Sequence, residues 1–430
     1  TGTFTMKAEK IGGETVLAQI VKVVEQAQTS KAPVQRIADR VSAVFVPAII
    51  AIAALVFVVW YFVMSSDIET ALMNATAVLV IACPCALGLA TPTSIMVGSG
   101  LSAEHGILFK DAASLEETGK VNAIIFDKTG TLTAGTLAVE LAKPVNASEV
   151  DLLNYVASLE SKTSHPIGKA LVRYATEFNG VISEVVNYEE VPGHGLQGNV
   201  NGALVQIGHS RWMTELGYDM AALMDEIQAS EAQGMAVSVV AADGNIAGIL
   251  GVADVVRQES IDVIKQLKDL GVEVWMLTGD NKRTAAHIGK LVGINHIMAE
   301  VLPQDKANKV AELKAQGKMV AMVGDGINDA PALATADVGI AIGSGTDIAM
   351  ESADVVLMNA SLSTLVSAFK ASRKTMKNIK ENLFWALIFN TLGIPLAGVG
   401  MLTPMIAGTA MAFSSFTVVS NSLRLKRAKI

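Results

Sequence analysis

Four stretches of the chain, roughly residues 43–64, 71–97, 383–402 and 404–420, are apolar over lengths that match a bilayer core, which takes about 20 helical residues to cross. Ser65-Ser66-Asp67-Ile68-Glu69-Thr70 joins the first two into a hairpin, and almost nothing separates the last two. Between these hairpins the pattern changes to short apolar runs alternating with helical periodicity. Residues 123–126, 274–277, 320–323 and 338–342 read as buried strands, with helix-like segments at 260–270 and 306–316. That alternation predicts a parallel sheet with helices on both faces. Ligands of such sheets bind at the carboxyl ends of the strands. Within this region, about residues 136–250 read as an inserted α+β domain. There Asp243-Gly244-Asn245 separates two apolar runs, 237–240 and 246–250, which is a hairpin signal.

Charge orients the spans. Arg36 and Arg40 precede the first and Lys110 follows the second; Arg373, Lys374, Lys377 and Lys380 precede the third and Arg424, Lys426, Arg427 and Lys429 follow the fourth. The short connectors hold no Lys or Arg, so the positive-inside tendency places the region between the hairpins in the cytoplasm. Composition agrees with membrane segments: 51% of residues are hydrophobic and 17% charged, and the mean hydropathy is +0.43. A formal net charge of −8 leaves no basic surface for nucleic acid. The only cysteines are Cys83 and Cys85; an i, i+2 pair across a proline makes a poor disulfide, so no disulfide framework is expected.

Each polar motif falls at a predicted strand end. Asp127-Lys128-Thr129-Gly130-Thr131-Leu132-Thr133 follows the first, Thr278-Gly279-Asp280 the second and Gly324-Asp325-Gly326-Ile327-Asn328-Asp329 the third, with Lys306 in Pro303-Gln304-Asp305-Lys306. A carboxylate at a strand end can act as a nucleophile towards phosphorus. The set supplies carboxylates for Mg²⁺, hydroxyl and N–H groups for phosphate oxygens, and an ammonium, as phosphoryl transfer requires. Thr-Gly-Asp or Gly-Asp-Gly alone marks only a turn; the long string and the order of all three are specific.

These motifs resemble the phosphorylation domain of P-type ATPases, a haloacid-dehalogenase-like fold. The resemblance implies that Asp127 becomes the aspartyl-phosphate, assisted by Lys128 and Gly279 in their motifs. It implies that Asp325 binds Mg²⁺ with Asp127 and the Thr129 carbonyl, that Thr278 and Lys306 hold phosphate oxygens, and that Asp280, Asn328 and Asp329 complete the site. Phosphatases of that fold usually carry a second Asp two residues after the nucleophile. Thr129 stands there instead, so an acyl phosphate would persist for want of a base to activate water. In the inserted region Glu160, Ser164-His165-Pro166 and Gly193-His194-Gly195-Leu196 resemble the nucleotide site of metal-pumping members. There Glu160 and His165 would contact adenine, and Gly193 and Gly195 would let the ATP approach; His194 reads as a loop residue. The acidic residue that often precedes His-Pro in the family is Ser164 here.

Cys83-Pro84-Cys85 lies in the middle of the second span. Proline removes a backbone hydrogen bond, so the helix should open there and let both thiols turn towards one ion. Thiolates are soft ligands that select Cu(I) and, less strongly, Zn(II) and Cd(II). Met411 in the fourth span adds a thioether, and the third and fourth spans carry no charged residue while offering Asn390. A soft site of low charge suits Cu(I) or Ag(I), whereas a Zn²⁺ site would be expected to add a carboxylate. Met411 followed by Ser414-Ser415 resembles the copper-exporting branch, which adds Ser415 to the candidate ligands. That branch usually has Tyr-Asn where this chain has Phe389-Asn390, so position 389 donates no oxygen.

The resemblance implies a multidomain membrane α plus α/β protein. The tail of an actuator domain would cover residues 1–34, the first two membrane helices 35–110, and the last two 369–430. The phosphorylation domain would take 111–135 and 251–368, around an inserted nucleotide-binding domain at 136–250. The actuator loop that positions water for dephosphorylation, the earlier helices and any amino-terminal metal-binding domain are not in the sequence. The chain is therefore expected to form a phosphoenzyme without completing a cycle. A copper chaperone or metal-binding domain, and residence in the plasma membrane, are further implications. Two alternatives stay open: a Zn(II), Cd(II) or Pb(II) pump, and a membrane-tethered phosphatase or metal sensor.

Overall fold

A computed structural model describes residues 25, 27–30, 32–325, 329–343, 352–359 and 361–430. Most of the expected actuator tail, and Asn328, lie outside the described residues. The chain divides into two compact units, one built from Thr1–Ala123 and Ala307–Ile430, the other from Ile124–Lys306.

The first unit opens with α1 (Pro33–Val58), whose leading proline is preset for a first helical turn, and runs on through Val59–Val63. After the 64–67 connector, Asp67 accepts a hydrogen bond from the Thr70 N–H (2.6 Å) and starts α2 (Ile68–Ile81). The helix then breaks at Ala82–Pro84 and resumes as α3 (Cys85–Glu104). The opening expected at Pro84 is thus present, with Pro84 outside the helical region (φ −81°, ψ 35°). Strand β1 (Ile107–Phe109) and α4 (Ala112–Lys120) follow.

In the second unit, β2 (Ala123–Asp127) leads through the turn Lys128–Leu132 into β3 (Thr133–Pro144), then α5 (Glu149–Glu160) and α6 (Pro166–Glu177). The meander β4 (Val185–Val191), β5 (Gly195–Val200) and β6 (Ala203–Gly208) precedes α7 (Ser210–Glu215) and α8 (Met224–Ala232). Then come β7 (Ala236–Ala242) and β8 (Asn245–Val256). Strands β3 to β8 form one antiparallel sheet in the order β3-β8-β7-β6-β5-β4. The β7–β8 hairpin turns on Asp243 and Gly244, both with positive φ (46° and 82°), as the sequence signal requires. One face packs on α5 and α6 through Leu152, Val156, Leu171, Val205 and Leu250; Trp212, Met213, Ile227 and Ile249 belong to a second cluster. The chain returns through α9 (Gln258–Asp269), β9 (Glu273–Leu277), α10 (Lys282–Val292) and β10 (His296–Met298), ending the unit at Lys306. Strand β9 lies between β2 and β10, and pairs in parallel with β10.

The first unit resumes with α11 (Lys306–Ala315), β11 (Val320–Gly324), α12 (Ala330–Thr335), β12 (Val338–Ile342) and β13 (Val355–Leu357). Its strands run in the order β1-β13-β12-β11, parallel except for β1 at the edge. Two helices close the chain, α13 (Ser363–Gly398) and α14 (Pro404–Arg424). The third apolar stretch is thus no separate helix but the second half of one 36-residue helix that begins in charged sequence.

Helices α1, α2, α3, α13 and α14 pack together. Ile49, Val78, Ile81, Ala397, Ala407 and Met411 fill one layer, and Ala86, Leu87, Ala90, Ala386 and Val418 another, with the Pro84 break between them. Small residues set the close approaches. A Cβ on Gly393 would strike the Ile81 side chain, and one on Gly98 would strike Thr375. Among the described residues, two helical segments are long and apolar enough to cross a membrane, Ser42–Val63 and the kinked Ile68–Glu104.

Candidate active site

Four hydrophobic residues drive β2 into the core, where Ile124, Ile125 and Phe126 are fully buried, and deliver Asp127 to its end at 7% exposure. A carboxylate so placed needs a counter-charge. Lys306 Nζ supplies one at 2.6 Å from Asp127 Oδ1. Next in sequence, Lys128 Nζ lies 2.7 Å from Asp280 Oδ2. Thr278, buried after β9, accepts the Asp280 N–H at 3.1 Å through its Oγ1 and holds the Thr278–Asp280 corner in shape. Thr129 is exposed with extended backbone, while Gly130 takes φ +74°, a left-handed turn that a side chain would resist. Thr131 is fully buried, and its Oγ1 has no partner among the described residues.

Long-range bonds that sequence motifs do not reveal hold this turn. Arg257 donates through its guanidinium to the Gly130 carbonyl (2.9 Å) and the Thr133 carbonyl (3.1 Å). Ser260 Oγ donates to the Leu132 carbonyl at 2.9 Å. Thr133 Oγ1 donates to Asp254 Oδ2 at 2.6 Å. Asp254, Arg257 and Ser260 stand where β8 passes into α9, more than a hundred residues from the Lys128–Thr133 turn. The only local signal is an Asp-x-x-Arg at a strand end, too common to weigh.

A cavity of about 480 Å³ opens beside the antiparallel sheet and gathers Glu160, His165, Gly193 and Gly195 in its lining. His165 caps α6: its Nδ1 accepts the Ile167 N–H at 3.3 Å, so a neutral ring carries its proton on Nε2 as a donor. Glu160 ends α5 at 7% exposure. Burial, and then the charge of Glu190, raise its carboxyl from the ordinary 4.5 to about 7. Its place depends on Gly168, where a Cβ would stand 2.5 Å from Glu160 Oε2. Gly193 takes φ +76°, and a Cβ on Gly195 would collide with the Ile207 carbonyl. His209 fastens this loop, its Nδ1 accepting the Trp212 N–H and its Nε2 donating to the Gly193 carbonyl, each at 3.0 Å. His194, read from sequence as a loop residue, also lines the cavity. A second cavity of about 450 Å³ is lined by Lys128, Asp254 and Asp280, and shares Ile167, Glu231, Met235 and Ala236 with the first. The second unit thus carries one continuous depression from Glu160 to the end of the Lys128–Asp280 pair.

In the first unit, Asp325 follows β11, and Asp329 stands at the start of α12, buried. A Cβ on Gly324 would collide with the Asp329 carboxylate, so glycine there makes room for it.

Among the packed helices, Cys83 and Cys85 are joined as a disulfide, contrary to the expectation from their spacing. The break at Pro84 is the reason. Their Cα atoms are 5.5 Å apart, inside the bridging range, and the non-helical backbone at Pro84 releases the two side chains from the divergent directions that a continuous helix gives residues i and i+2. Asn390 is buried; its Nδ2 donates to the Ala82 carbonyl at 3.3 Å, at the break itself, while its Oδ1 is unpartnered among the described residues. Met411 is buried in the layer that holds Ile81 and Ala82. Ser415 is half-buried, whereas Ser414 is fully buried with an Oγ that has no partner among the described residues. Ser414 falls between Met411 of one layer and Val418 of the next, level with the break.

A family model for haloacid dehalogenase-like hydrolases matches residues 121–337. Over 436 residues the chain is 51% identical to a probable copper-transporting ATPase, PacS, of Synechococcus elongatus, covering 99% of this chain and 58% of that protein. It is 48% identical over 430 residues to a copper-exporting P-type ATPase of Bacillus subtilis, covering 100% and 54%. The chain thus spans a little over half the length of these relatives. A crystal structure of a zinc-transporting PIB-type ATPase in an E2.Pi state superposes with a TM-score of 0.84 at 36% identity, over 96% of this chain and 68% of that one.

Proposed function

The chain belongs to the P-type ATPases, within the haloacid dehalogenase-like hydrolases, and from that premise we propose that it carries the catalytic centre and part of the ion path of an ATP-driven Cu(I) exporter. The observation that carries this reading is the buried Asp127 held at 2.6 Å by Lys306, in the unit whose cavities run from Glu160 to Lys128 and Asp280. ATP lies along that depression with adenine between Glu160 and His165, the His165 Nε2–H donating to a ring nitrogen. Gly193 and Gly195 leave room for the nucleotide to lie against the start of β5. Its phosphates extend towards Lys128.

An Asp127 oxygen attacks the γ-phosphorus, the bond to the β-bridging oxygen breaks, and ADP leaves with that electron pair. Lys306 orients the carboxylate before attack and then shares its charge with the transferred oxygens, a positioning role typical of phosphoryl transfer. Thr278 offers its hydroxyl proton to a phosphate oxygen, since its Oγ1 only accepts from Asp280. The Lys128–Asp280 pair keeps the two strand ends in register. Gly279 leaves the corner without a side chain, and Asn328 and Asp329 retain the roles their motif implies. By the resemblance, Asp127, the Thr129 carbonyl and Asp325 would hold Mg²⁺, and all three offer the hard oxygens that ion takes. Bound there, Mg²⁺ would neutralise phosphate charge. No carboxylate stands at position 129, so the acyl phosphate persists, which separates this reading from a phosphatase.

Copper is the cargo. Reduced to thiolates, Cys83 and Cys85 hold Cu(I) at the Pro84 break, with Met411, Asn390 and a serine hydroxyl as further donors, the buried Ser414 ahead of the half-buried Ser415 that the resemblance names; Ag(I), equally soft, is a second ion the site would take. We read all four apolar stretches as spans of the plasma membrane. Support comes from the outward faces of α13 and α14, where Phe384, Leu392, Met405, Phe413 and Phe416 are exposed while Asn390, Ser414 and Ser422 are buried. That inside-out distribution suits lipid. A copper chaperone or metal-binding domain would deliver the ion. The solved neighbour transports zinc, so Zn(II) is the second reading, and the absence of Asp and Glu from residues 383–423 weighs against it. The test is metal-dependent acyl-phosphate formation by the reconstituted protein. Cu(I) under reducing conditions should stimulate it, Zn(II) should not, and the Cys83→Ser/Cys85→Ser double variant should show no stimulation. Zn(II) stimulation without Cu(I) stimulation would establish the second reading instead.

A further inference from the structure

Where α13 and α14 lose their apolar outer surface, a cleft of about 160 Å³ opens between them, lined by Lys374, Lys377, Asn378, Glu381, Arg424 and Leu425. Three cations face one carboxylate there, and that carboxylate is already engaged. Glu381 Oε2 pairs with Arg424 at 3.2 Å and accepts from Asn421 Nδ2 at 3.4 Å, which aims the guanidinium rather than cancelling the site. The floor is built: Asn378 is buried at 5% exposure, and its Nδ2 donates to the Asn421 carbonyl at 2.9 Å. Below it a closed network of Ser94, Asn378, Asn382 and Ser422 fixes three helices together. Lys374 Nζ donates to the Lys429 carbonyl, so the terminal segment is drawn to the cleft. Just beyond lie exposed apolar side chains, Phe384 on α13 and Leu423 on α14.

From a cationic cleft with an apolar flank at the end of two helices, we infer that Lys374, Lys377 and Arg424 bind the phosphodiester headgroup of an anionic glycerophospholipid of the phosphatidylglycerol type. Its acyl chains would run down the Phe384 and Leu423 faces. This rests on the membrane-spanning reading of α13 and α14 proposed above. A phosphodiester suits the donors, since an ammonium and a guanidinium both form charge-assisted bonds to phosphate oxygens. Basic pockets between membrane helices on the cytoplasmic side recognise such headgroups. The geometry predicts a site, and not merely the general attraction of a basic rim. Lys380, on the same helix and exposed, does not line the cleft and should contribute little.

The test reconstitutes the full chain in bilayer nanodiscs of phosphatidylcholine with a minor share of phosphatidylglycerol, and counts lipid retained on gentle delipidation by native mass spectrometry. Phosphatidylglycerol should be enriched over phosphatidylcholine in the wild type. Lys374→Gln and Lys377→Gln should each lower that enrichment by about fivefold, and Lys380→Gln should leave it within about twofold. Millimolar inorganic phosphate should not displace the lipid. Equal losses in all three variants would replace the site with diffuse charge, and displacement by phosphate would make it a free-anion site. Failure of the chain to insert into these nanodiscs would refute the membrane reading itself, and the headgroup site with it. Insertion without enrichment would refute the headgroup site alone.

Discussion

Replacing Glu160 with glutamine keeps the shape of a side chain wedged against Gly168 but removes its charge. Burial and the neighbouring Glu190 carry the Glu160 carboxyl from 4.5 to about 7. A tenfold change in proton affinity corresponds to about 1.4 kcal/mol between protonation states, so the whole rise is worth roughly 3 kcal/mol. Because the folded state binds the proton more tightly, stability from this group is fully present below pH 4.5. It is lost as pH rises through about 7. Above pH 7 the wild type carries a buried carboxylate near a second one, and Glu160→Gln does not. The stability difference should therefore be small near pH 5 and should grow to roughly 3 kcal/mol in favour of glutamine by pH 8. Adenine binding excludes more water from this corner, so nucleotide affinity should also fall above pH 7 in the wild type and stay level in the variant. Hydrogen exchange of peptides covering α5 and α6, in graded urea at pH 5, 6, 7 and 8, reads the first quantity. Fluorescent-nucleotide titration reads the second. A difference between wild type and variant that does not change with pH would refute the assignment of burial as the cause.

Three further outcomes follow from the geometry. Gly195→Ala places a methyl group against the Ile207 carbonyl and the Trp212 ring; it should cost roughly 2–3 kcal/mol in urea unfolding of the nucleotide region and abolish nucleotide binding, and an unchanged unfolding curve would mean the β5–β6 pairing yields. Lys306→Met removes the ammonium at Asp127, so phosphoenzyme formation should fall by about 10²-fold or more while nucleotide affinity holds, as filter assays of labelled phosphate and nucleotide binding would show. Ser414→Ala removes a buried hydroxyl with no partner among the described residues. It should leave stability within about 1 kcal/mol of wild type yet weaken Cu(I) retention more than Ser415→Ala does, measured by chelator competition.

Local signals carry a good deal of this architecture. The apolar run before Asp127 and the glycine turn after it mark a strand end because both are consequences of adjacent residues. Asp243-Gly244 marks its hairpin because only such residues take two positive φ values cheaply. Pro84 announces its own break. What stays hidden depends on residues far apart or on rotation about an axis. Arg257 and Asp254 reach the Lys128–Thr133 turn only once β8 has run alongside β3. Gly168 matters to Glu160 because α6 folds back against the end of α5, which no spacing rule states. Which of Ser414 and Ser415 faces inward is a question of about 100° of rotation that a pair of equal residues cannot answer. Spacing alone argues against the Cys83–Cys85 bond, although the same proline that opens the helix also frees the two side chains to turn towards each other. Charge at the start of α13 conceals that a single helix continues into the apolar stretch.

The central claim is that Asp127 receives the γ-phosphoryl group of ATP, and the direct measurement is acid-stable incorporation of label from γ-labelled Mg-ATP, followed by hydroxylamine. The account predicts a hydroxylamine-labile product in the wild type and none in Asp127→Asn. A folded wild-type chain that binds ATP and gives no such product, or an Asp127→Asn variant that gives it equally, would contradict the account.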